Sequence, residues 1–224
     1  MAKRIKHHFG VIYFITWWTC RIFFKIYFRW RIYHWERVPQ TGPVILATNH
    51  ASYLDPPMVG TAIHRESGYL ARESLFRFAP FAFWIRRLNA VAVDRDGGVG
   101  KGLKSVFQLL EKQLPVTLFP EGTRTPDGQL QSAKPGIGMI IIKSEAPVIP
   151  VRVFGSYEAF GRKVTLPRPH PIAIKFGKPI DFSEMREQAK TATKPELKKL
   201  YVKASEMCME AIAGIEKGFD EENA

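Results

Sequence analysis

Val44-Ile45-Leu46-Ala47-Thr48-Asn49-His50-Ala51-Ser52-Tyr53-Leu54-Asp55-Pro56 decides the reading of this chain. Residues 44–47 are a short apolar run and predict a buried strand. Similar runs recur at 89–93, 116–119 and 148–153, and residues 172–176 alternate like a further strand. Helical spacing lies between them. Leu103, Val106, Phe107 and Leu110 fit i, i+3, i+4, i+7. Leu197, Leu200, Tyr201, Ala204, Met207, Cys208, Ala211 and Ile212 make one apolar stripe across about 195–217, with Pro195 near its start and Gly218 near its end. Strands alternating with helices predict an α/β domain over residues 39–224, with a mixed, largely parallel sheet flanked by helices.

In open α/β sheets, ligands gather at the carboxyl ends of the strands. His50 follows directly from the 44–47 strand. Histidine is the natural base near neutral pH, and it works best with a carboxylate that fixes its tautomer and stabilises its positive form. Asp55 is five residues on, about 140° round a straight helix from His50, so the two meet only if the chain bends between them. Asp55-Pro56 supplies a bend, with Asp55 as N-cap and Pro56 as the first helical residue. The same residues admit a plainer reading, in which Asp55 is only a cap and His50 only a satisfied loop histidine. No rival nucleophile presents itself: Gly155-Ser156-Tyr157 lacks the second glycine of a nucleophile elbow, and neither Cys20 nor Cys208 is placed like a catalytic thiol. A His-Asp pair without a nucleophile points to direct activation of a substrate hydroxyl.

A second constellation, Phe119-Pro120-Glu121-Gly122-Thr123-Arg124, follows the 116–119 strand. Glu121-Gly122 makes a turn that lets backbone approach a ligand. Thr123 offers a hydroxyl and an N–H, and Arg124 a planar fork of donors suited to phosphate. The alternative is a tight turn closed by a Glu121–Arg124 ion pair. Arg95, after the 89–93 strand, is a candidate for the same place. So is Lys134, in Ala133-Lys134-Pro135-Gly136, where Gly136 can open a helix whose amides face an anion.

The N-terminal 38 residues have another character. Twelve aromatics fall within residues 9–35, and the only acid in the first 40 residues is Glu36. Arg21, Lys25 and Arg29 are spaced by four, so on one helix they would form a basic stripe beside Trp17, Trp18 and Trp30. Rings at headgroup depth with long basic stems are what a membrane-docking interfacial helix needs. Residues 1–38 are therefore read as a membrane-docking helical segment, against the alternatives of a core helix with a charged outer face or a true span. Lys3, Arg4 and Lys6 ahead of an uncharged run imitate a targeting signal. No small-x-small cleavage site follows, and the run is too short to cross a bilayer, so it is read as retained. A second mixture of bulky apolar and basic residues, 76–87, either faces lipid, walls an apolar channel or forms a core helix.

The chain has 224 residues, enough for one substantial core, and a formal net charge of +12. That balance favours an anionic partner: nucleic acid, an anionic membrane face or a polyphosphate compound. Two isolated cysteines make neither CxxC nor a zinc spacing, so no metal is expected, and Cys208 reads as a buried structural thiol.

His50-x4-Asp55, then Arg95, then Phe119-Pro-Glu-Gly-Thr-Arg124, then Val148-Ile149-Pro150-Val151, in this order, closely resembles the glycerolipid acyltransferase family, whose best-known members are the 1-acyl-sn-glycerol-3-phosphate acyltransferases. The resemblance covers roughly residues 40–180. It implies that His50 is the base for the sn-2 hydroxyl of lysophosphatidic acid and that Asp55 orients it. The hydroxyl attacks the thioester of acyl-CoA or acyl-ACP (acyl carrier protein) and gives phosphatidic acid, with no cofactor beyond that donor. Arg95 would hold the acceptor's phosphate. Glu121, Gly122, Thr123 and Arg124 would also bind acceptor, Lys134 sits in the segment that usually follows, and residues 148–151 would help shape the site. Both substrates carry long acyl chains, so the site is expected to open at a phospholipid membrane. The positive-inside bias puts it on the cytoplasmic face of the inner membrane. Asn89, where a glycine is usual, and Arg72, where a lysine is more usual, bear on the acceptor rather than on the reaction. The rival expectations are another acceptor (a different lysophospholipid, glycerol-3-phosphate or an aminolipid) and a non-catalytic membrane-binding protein with a remnant site. Nucleic acid is not expected, since no nucleic-acid motif is present and the aromatics cluster with apolar partners.

Overall fold

In the computed structural model, which describes residues 10–93 and 99–217, seven strands follow along the chain: β1 (Arg31–Tyr33), β2 (Val44–Thr48), β3 (Tyr69–Arg72), β4 (Ala90–Val93), β5 (Pro115–Leu118), β6 (Val148–Phe154) and β7 (Ala173–Phe176). Five make the main sheet in the order β1-β7-β6-β2-β5, while β3 and β4 pair in parallel as a smaller one. A bridge from Gly68 to Val116 joins the smaller sheet to the β5 edge. β2 is parallel to both β5 and β6; β7 runs against β6, and β1 lies parallel to β7. The sheet is thus mixed and largely parallel, as the alternation of patterns predicts.

Eight helices cover it: α1 (Val11–Tyr27), α2 (Asp55–Ala62), α3 (Ala79–Arg87), α4 (Val99–Glu111), α5 (Pro135–Lys143), α6 (Ser156–Phe160), α7 (Ser183–Thr191) and α8 (Lys194–Ala213). The period-two side-chain alternation of a strand separates two cores. Ile45 and Ala47 of β2 pack with α4, α5, α7 and α8 on one face. Val44 and Leu46 of the same strand pack with α1, α2 and α6 on the other. Cys208 is fully buried in the first core, which pushes its thiol up to about 12. α8 opens with a capping box, Thr193 and Glu196. It ends at Gly214 rather than near Gly218, which lies outside the described residues. A Cβ on Gly138 would stand 1.8 Å from the Tyr201 carbonyl oxygen, so α5 and α8 touch backbone to backbone there. Ser205 Oγ accepts the Gly138 N–H at 3.0 Å and donates to the Tyr201 carbonyl at 2.8 Å, with the Lys134 carbonyl 3.2 Å away.

The N-terminal segment differs from its reading in three ways. First, residues 31–33 are an edge strand of the main sheet, Arg31 opposite Ala173 and Tyr33 opposite Lys175, so the docking segment runs into the α/β domain before residue 38. Second, α1 stops at Tyr27, and Arg29 sits beyond it with φ +46°, so Arg29 does not continue a stripe with Arg21 and Lys25. Third, Trp17 and Trp30 are buried, not lipid-facing. For Trp17 the reason is the C-terminal end of α2, whose last carbonyls have no partner within the helix. Trp17 Nε1 donates to the Ile63 carbonyl (2.9 Å) and an Arg21 Nη donates to the Thr61 carbonyl (2.7 Å). The Arg21 guanidinium lies 4.5 Å from the Trp17 ring centre and 5.6 Å from that of Trp30. Trp17 and Arg21, read as part of the dock, therefore cap α2, while Trp18 and Lys25 keep to the exposed side.

The opposite face of α1 stays uncovered. Val11, Phe14, Ile15, Trp18, Ile22, Phe23 and Ile26 are exposed, with Lys25 among them. α3 lies alongside, tied by Trp84 Nε1 to Thr16 Oγ1 at 3.1 Å, and exposes Phe81, Phe83 and Trp84 while burying Ala82 and Ile85. Among the described residues, no helix is long and apolar enough to cross a membrane.

Candidate active site

β2 and β5 are neighbours, and the two loops leaving their carboxyl ends meet over the sheet edge. The β2 loop is anchored first by Asn49, whose amide oxygen accepts the Val153 N–H (2.8 Å) and whose amide nitrogen donates to the Val153 carbonyl (3.0 Å). A side-chain amide thus replaces a strand partner and lets the chain leave the sheet without orphaning β6. Next, His50 is latched to the β5 loop by both of its main-chain groups. Its N–H donates to Glu121 Oε1 and its carbonyl accepts the Thr125 N–H, each at 2.8 Å.

The bend between His50 and Asp55 is real but is not made by Asp55 acting as a cap. Asp55 is the first residue of α2, and its carboxylate turns back into the loop. Asp55 Oδ2 accepts the N–H groups of Ala51 and Ser52 (both 2.7 Å) and stands 2.9 Å from His50 Nδ1. Two main-chain donors converge on this oxygen in a fully buried setting, which favours the carboxylate in its acceptor form. It fixes the proton on Nδ1 and leaves Nε2 with its lone pair. The imidazole also stacks on Phe119, centroids 3.9 Å apart. The ring's angle is thus held by two contacts before any ligand arrives.

Glu121, expected among the acceptor-binding residues, is buried behind His50. One carboxylate oxygen receives the His50 N–H and the other the Gln131 N–H (3.2 Å). Burial pushes its carboxyl above the ordinary range. Arg124 turns to an aromatic partner instead of Glu121. Its guanidinium lies 3.4 Å from the centre of the exposed Tyr53 ring, and its Nη1 is buried without a hydrogen-bond partner. Gly122 has φ +68°, and a Cβ there would stand 2.8 Å from Lys134 Cδ, so the Lys134 stem lies along the bare backbone of the turn. Lys134 is also the N-cap residue of α5, and its N–H donates to the Pro120 carbonyl at 2.9 Å. Thr123 is exposed between these groups. Arg95 lies outside the described residues.

His50, Asp55, Glu121, Gly122, Arg124 and Lys134 thus come together at the carboxyl ends of β2 and β5. Tyr53, Phe119, Gln131 and Phe160 join them without having been singled out as site residues. Tyr53 and Arg124 are 71 positions apart, and only the adjacency of β2 and β5 makes them neighbours. Asn89 has φ +59°, a region open to glycine and tolerated by asparagine, and its amide donates to Glu66 (2.8 Å). This accounts locally for an asparagine where a glycine is usual.

A family model described as Acyltransferase matches residues 29–154. Curated relatives include the 1-acyl-sn-glycerol-3-phosphate acyltransferases of Cocos nucifera (26% identical over 147 residues; 64% of this chain, 48% of that one) and Bacillus subtilis (26% over 126 residues; 56% and 62%). The chain spans about half the length of the plant relatives it matches. The crystal structure of the 1-acyl-sn-glycerophosphate acyltransferase PlsC from Thermotoga maritima shares the fold, with TM-score 0.68 and 24% identity over 93% of this chain and 82% of that one.

Proposed function

This chain belongs to the Acyltransferase family, and we propose that it transfers a fatty acyl group from an acyl-CoA or acyl-ACP thioester to the sn-2 hydroxyl of lysophosphatidic acid, yielding phosphatidic acid. The observation that carries this reading is the His50 imidazole, held by Asp55 through Nδ1 and by Phe119 through its face. Nε2 takes the proton of the acceptor hydroxyl as its oxygen attacks the thioester carbonyl. The tetrahedral intermediate then expels the thiolate, which takes the proton back from Nε2. No covalent enzyme intermediate is needed, and a positioned base of this kind contributes typically 10²–10⁴-fold. Arg124, preset on Tyr53 with an unpaired Nη1, and Lys134 beside the Gly122 turn supply positive charge for the acceptor's phosphate. Arg95 and Thr123 are assigned to the same acceptor by resemblance.

A bilayer delivers both lipids. The uncovered face of α1, carried by Trp18, Phe23 and Ile26 and flanked by Lys25 and Arg29, joins the α3 face of Phe81, Phe83 and Trp84 as the membrane-facing surface. An interfacial seat on the cytoplasmic leaflet of the inner membrane suits that mixture of rings and basic groups.

The test is thiol release from palmitoyl-CoA by purified protein in detergent micelles, with and without lysophosphatidic acid, beside His50→Ala. Release that requires the acceptor, yields phosphatidic acid and drops at least about 100-fold in the variant is the expected result. Undiminished release by a correctly folded His50→Ala protein overturns it.

A further inference from the structure

The 161–171 connection between α6 and β7 carries Arg162, Lys163 and Arg168, and no acidic residue occurs anywhere from 159 to 180. All three basic groups are exposed, and between them Leu166 is 74% exposed. An aliphatic side chain that open, held between cations, has no purpose in the folded core. Its position gives it one. The next residue, Pro167, accepts a hydrogen bond from the Tyr27 hydroxyl at 3.0 Å, which pins the loop to the end of α1. The Tyr27 ring stacks on Phe23 (5.3 Å, 14°), a member of the uncovered α1 face. Leu166 therefore adjoins that face across the Tyr27–Pro167 contact.

The loop's other end reaches the candidate site. The Arg168 N–H donates to the Ala159 carbonyl at 2.9 Å. The adjacent Phe160 carbonyl accepts from Ser52 Oγ at 2.8 Å, and the Phe160 ring lies 5.5 Å from that of Tyr53. One short connection thus links the apolar face of α1 to the residues beside His50.

We infer that residues 161–168 form a separate bilayer contact, selective for anionic phospholipid, in which Leu166 enters the interface while Arg162, Lys163 and Arg168 meet headgroup phosphates. The occupant is a lipid surface rather than a soluble anion because an exposed leucine contributes nothing to binding a hydrated phosphate. The contact seats the mouth of the site against the membrane that supplies its substrates, so the inference rests on the bilayer reading of α1 and α3.

Co-sedimentation with phosphatidylcholine vesicles, and with vesicles carrying a quarter phosphatidylglycerol, tests it. The proteins are the wild type, Leu166→Ser and the double variant Arg162→Glu/Lys163→Glu. The expected result is preference of the wild type for anionic vesicles, loss of at least about tenfold of that preference in the double variant, and weaker binding to both vesicles by Leu166→Ser. Acyl transfer in detergent micelles should stay at the wild-type rate, because none of these side chains belongs to the catalytic machinery. Anionic-vesicle binding at full strength by both altered proteins overturns the role of the loop and leaves the α1–α3 surface standing. Failure of the wild type to bind either vesicle overturns the bilayer reading itself.

Discussion

Glu121 and His50 are joined by a hydrogen bond in which the main-chain N–H of His50 donates to a buried carboxylate oxygen at 2.8 Å. The bond ties the loop after β2 to the loop after β5, so His50 is positioned by the neighbouring strand's turn as well as by its own. Glu121→Ala leaves the half-buried N–H groups of His50 and Gln131 without their partner, at up to about 1–3 kcal/mol each. The expected outcome is a fall in kcat of about 10–100-fold with little change in the acceptor KM. Steady-state kinetics decide: a rise in acceptor KM alone would make Glu121 an acceptor ligand.

Burial also gives Glu121 a signature in pH. Its carboxyl is raised in the fold above its ordinary 4.5, so the folded chain holds this proton more tightly than the unfolded one. The stabilisation is complete below about pH 4.5 and is lost as pH rises through the folded value. Glu121→Gln has no such proton. Urea melts at stepped pH should show the unfolding free energy of the wild type falling relative to that of the variant across this window. A constant difference between the two proteins would falsify the assignment.

Asp55→Asn separates charge from structure. The amide oxygen can take the place of Oδ2 and still accept from Ala51, Ser52 and His50 Nδ1, but the negative charge that stabilises the imidazolium is lost. Turnover should fall by at least about 100-fold while the melting temperature moves by only a few degrees. If melting collapses together with activity, Asp55 serves the fold of the loop first.

Tyr53 presents Arg124 through its ring, not through its hydroxyl. Tyr53→Leu should raise the acceptor KM by about 3–10-fold, in keeping with a cation–π contact of roughly 0.5–2 kcal/mol, and leave the thioester KM in place. Tyr53→Phe should restore the acceptor KM. Equal damage from both changes would refute the ring's role.

Gly122→Ala should be disproportionately harmful. The added methyl meets Lys134 Cδ at 2.8 Å on a backbone with φ +68°. A left-handed non-glycine residue alone costs about 1–2 kcal/mol. Both a lower denaturation midpoint and a weaker acceptor KM are expected, and a change in neither would show that the Lys134 stem is free to move aside.

The sequence made some of this architecture plain and hid the rest for physical reasons. Residues 44–47 and 148–151 are continuous apolar runs because both faces of β2 and β6 are covered there, one by each core. β1 was invisible because Arg31-Ile32-Tyr33 is a three-residue edge strand inside an aromatic run, with nothing local to mark its partner. β3 is not legible in the sequence because Tyr69-Leu70-Ala71-Arg72 is half-exposed and short. In the site, spacing and strand position leave the His50–Asp55 pair beside a plainer cap-and-loop reading, and the family resemblance is what favours the pair. The three donors on Asp55 Oδ2 and the burial of Glu121 could not be read there, because they arise from how two loops close on each other. Arg21 misled for the same reason: a four-residue spacing cannot reveal a carbonyl waiting at the end of another helix.

The pairing of β1 with β7 sets a condition on biosynthesis. Arg31 leaves the ribosome 142 residues ahead of Ala173, the residue it must meet. Through that interval the growing chain carries a bare strand edge next to a helix lined with exposed tryptophan and phenylalanine, a combination prone to sticking. Expression pieces that stop before residue 176 should therefore precipitate, and the nascent chain has reason to find a lipid surface before it has finished folding.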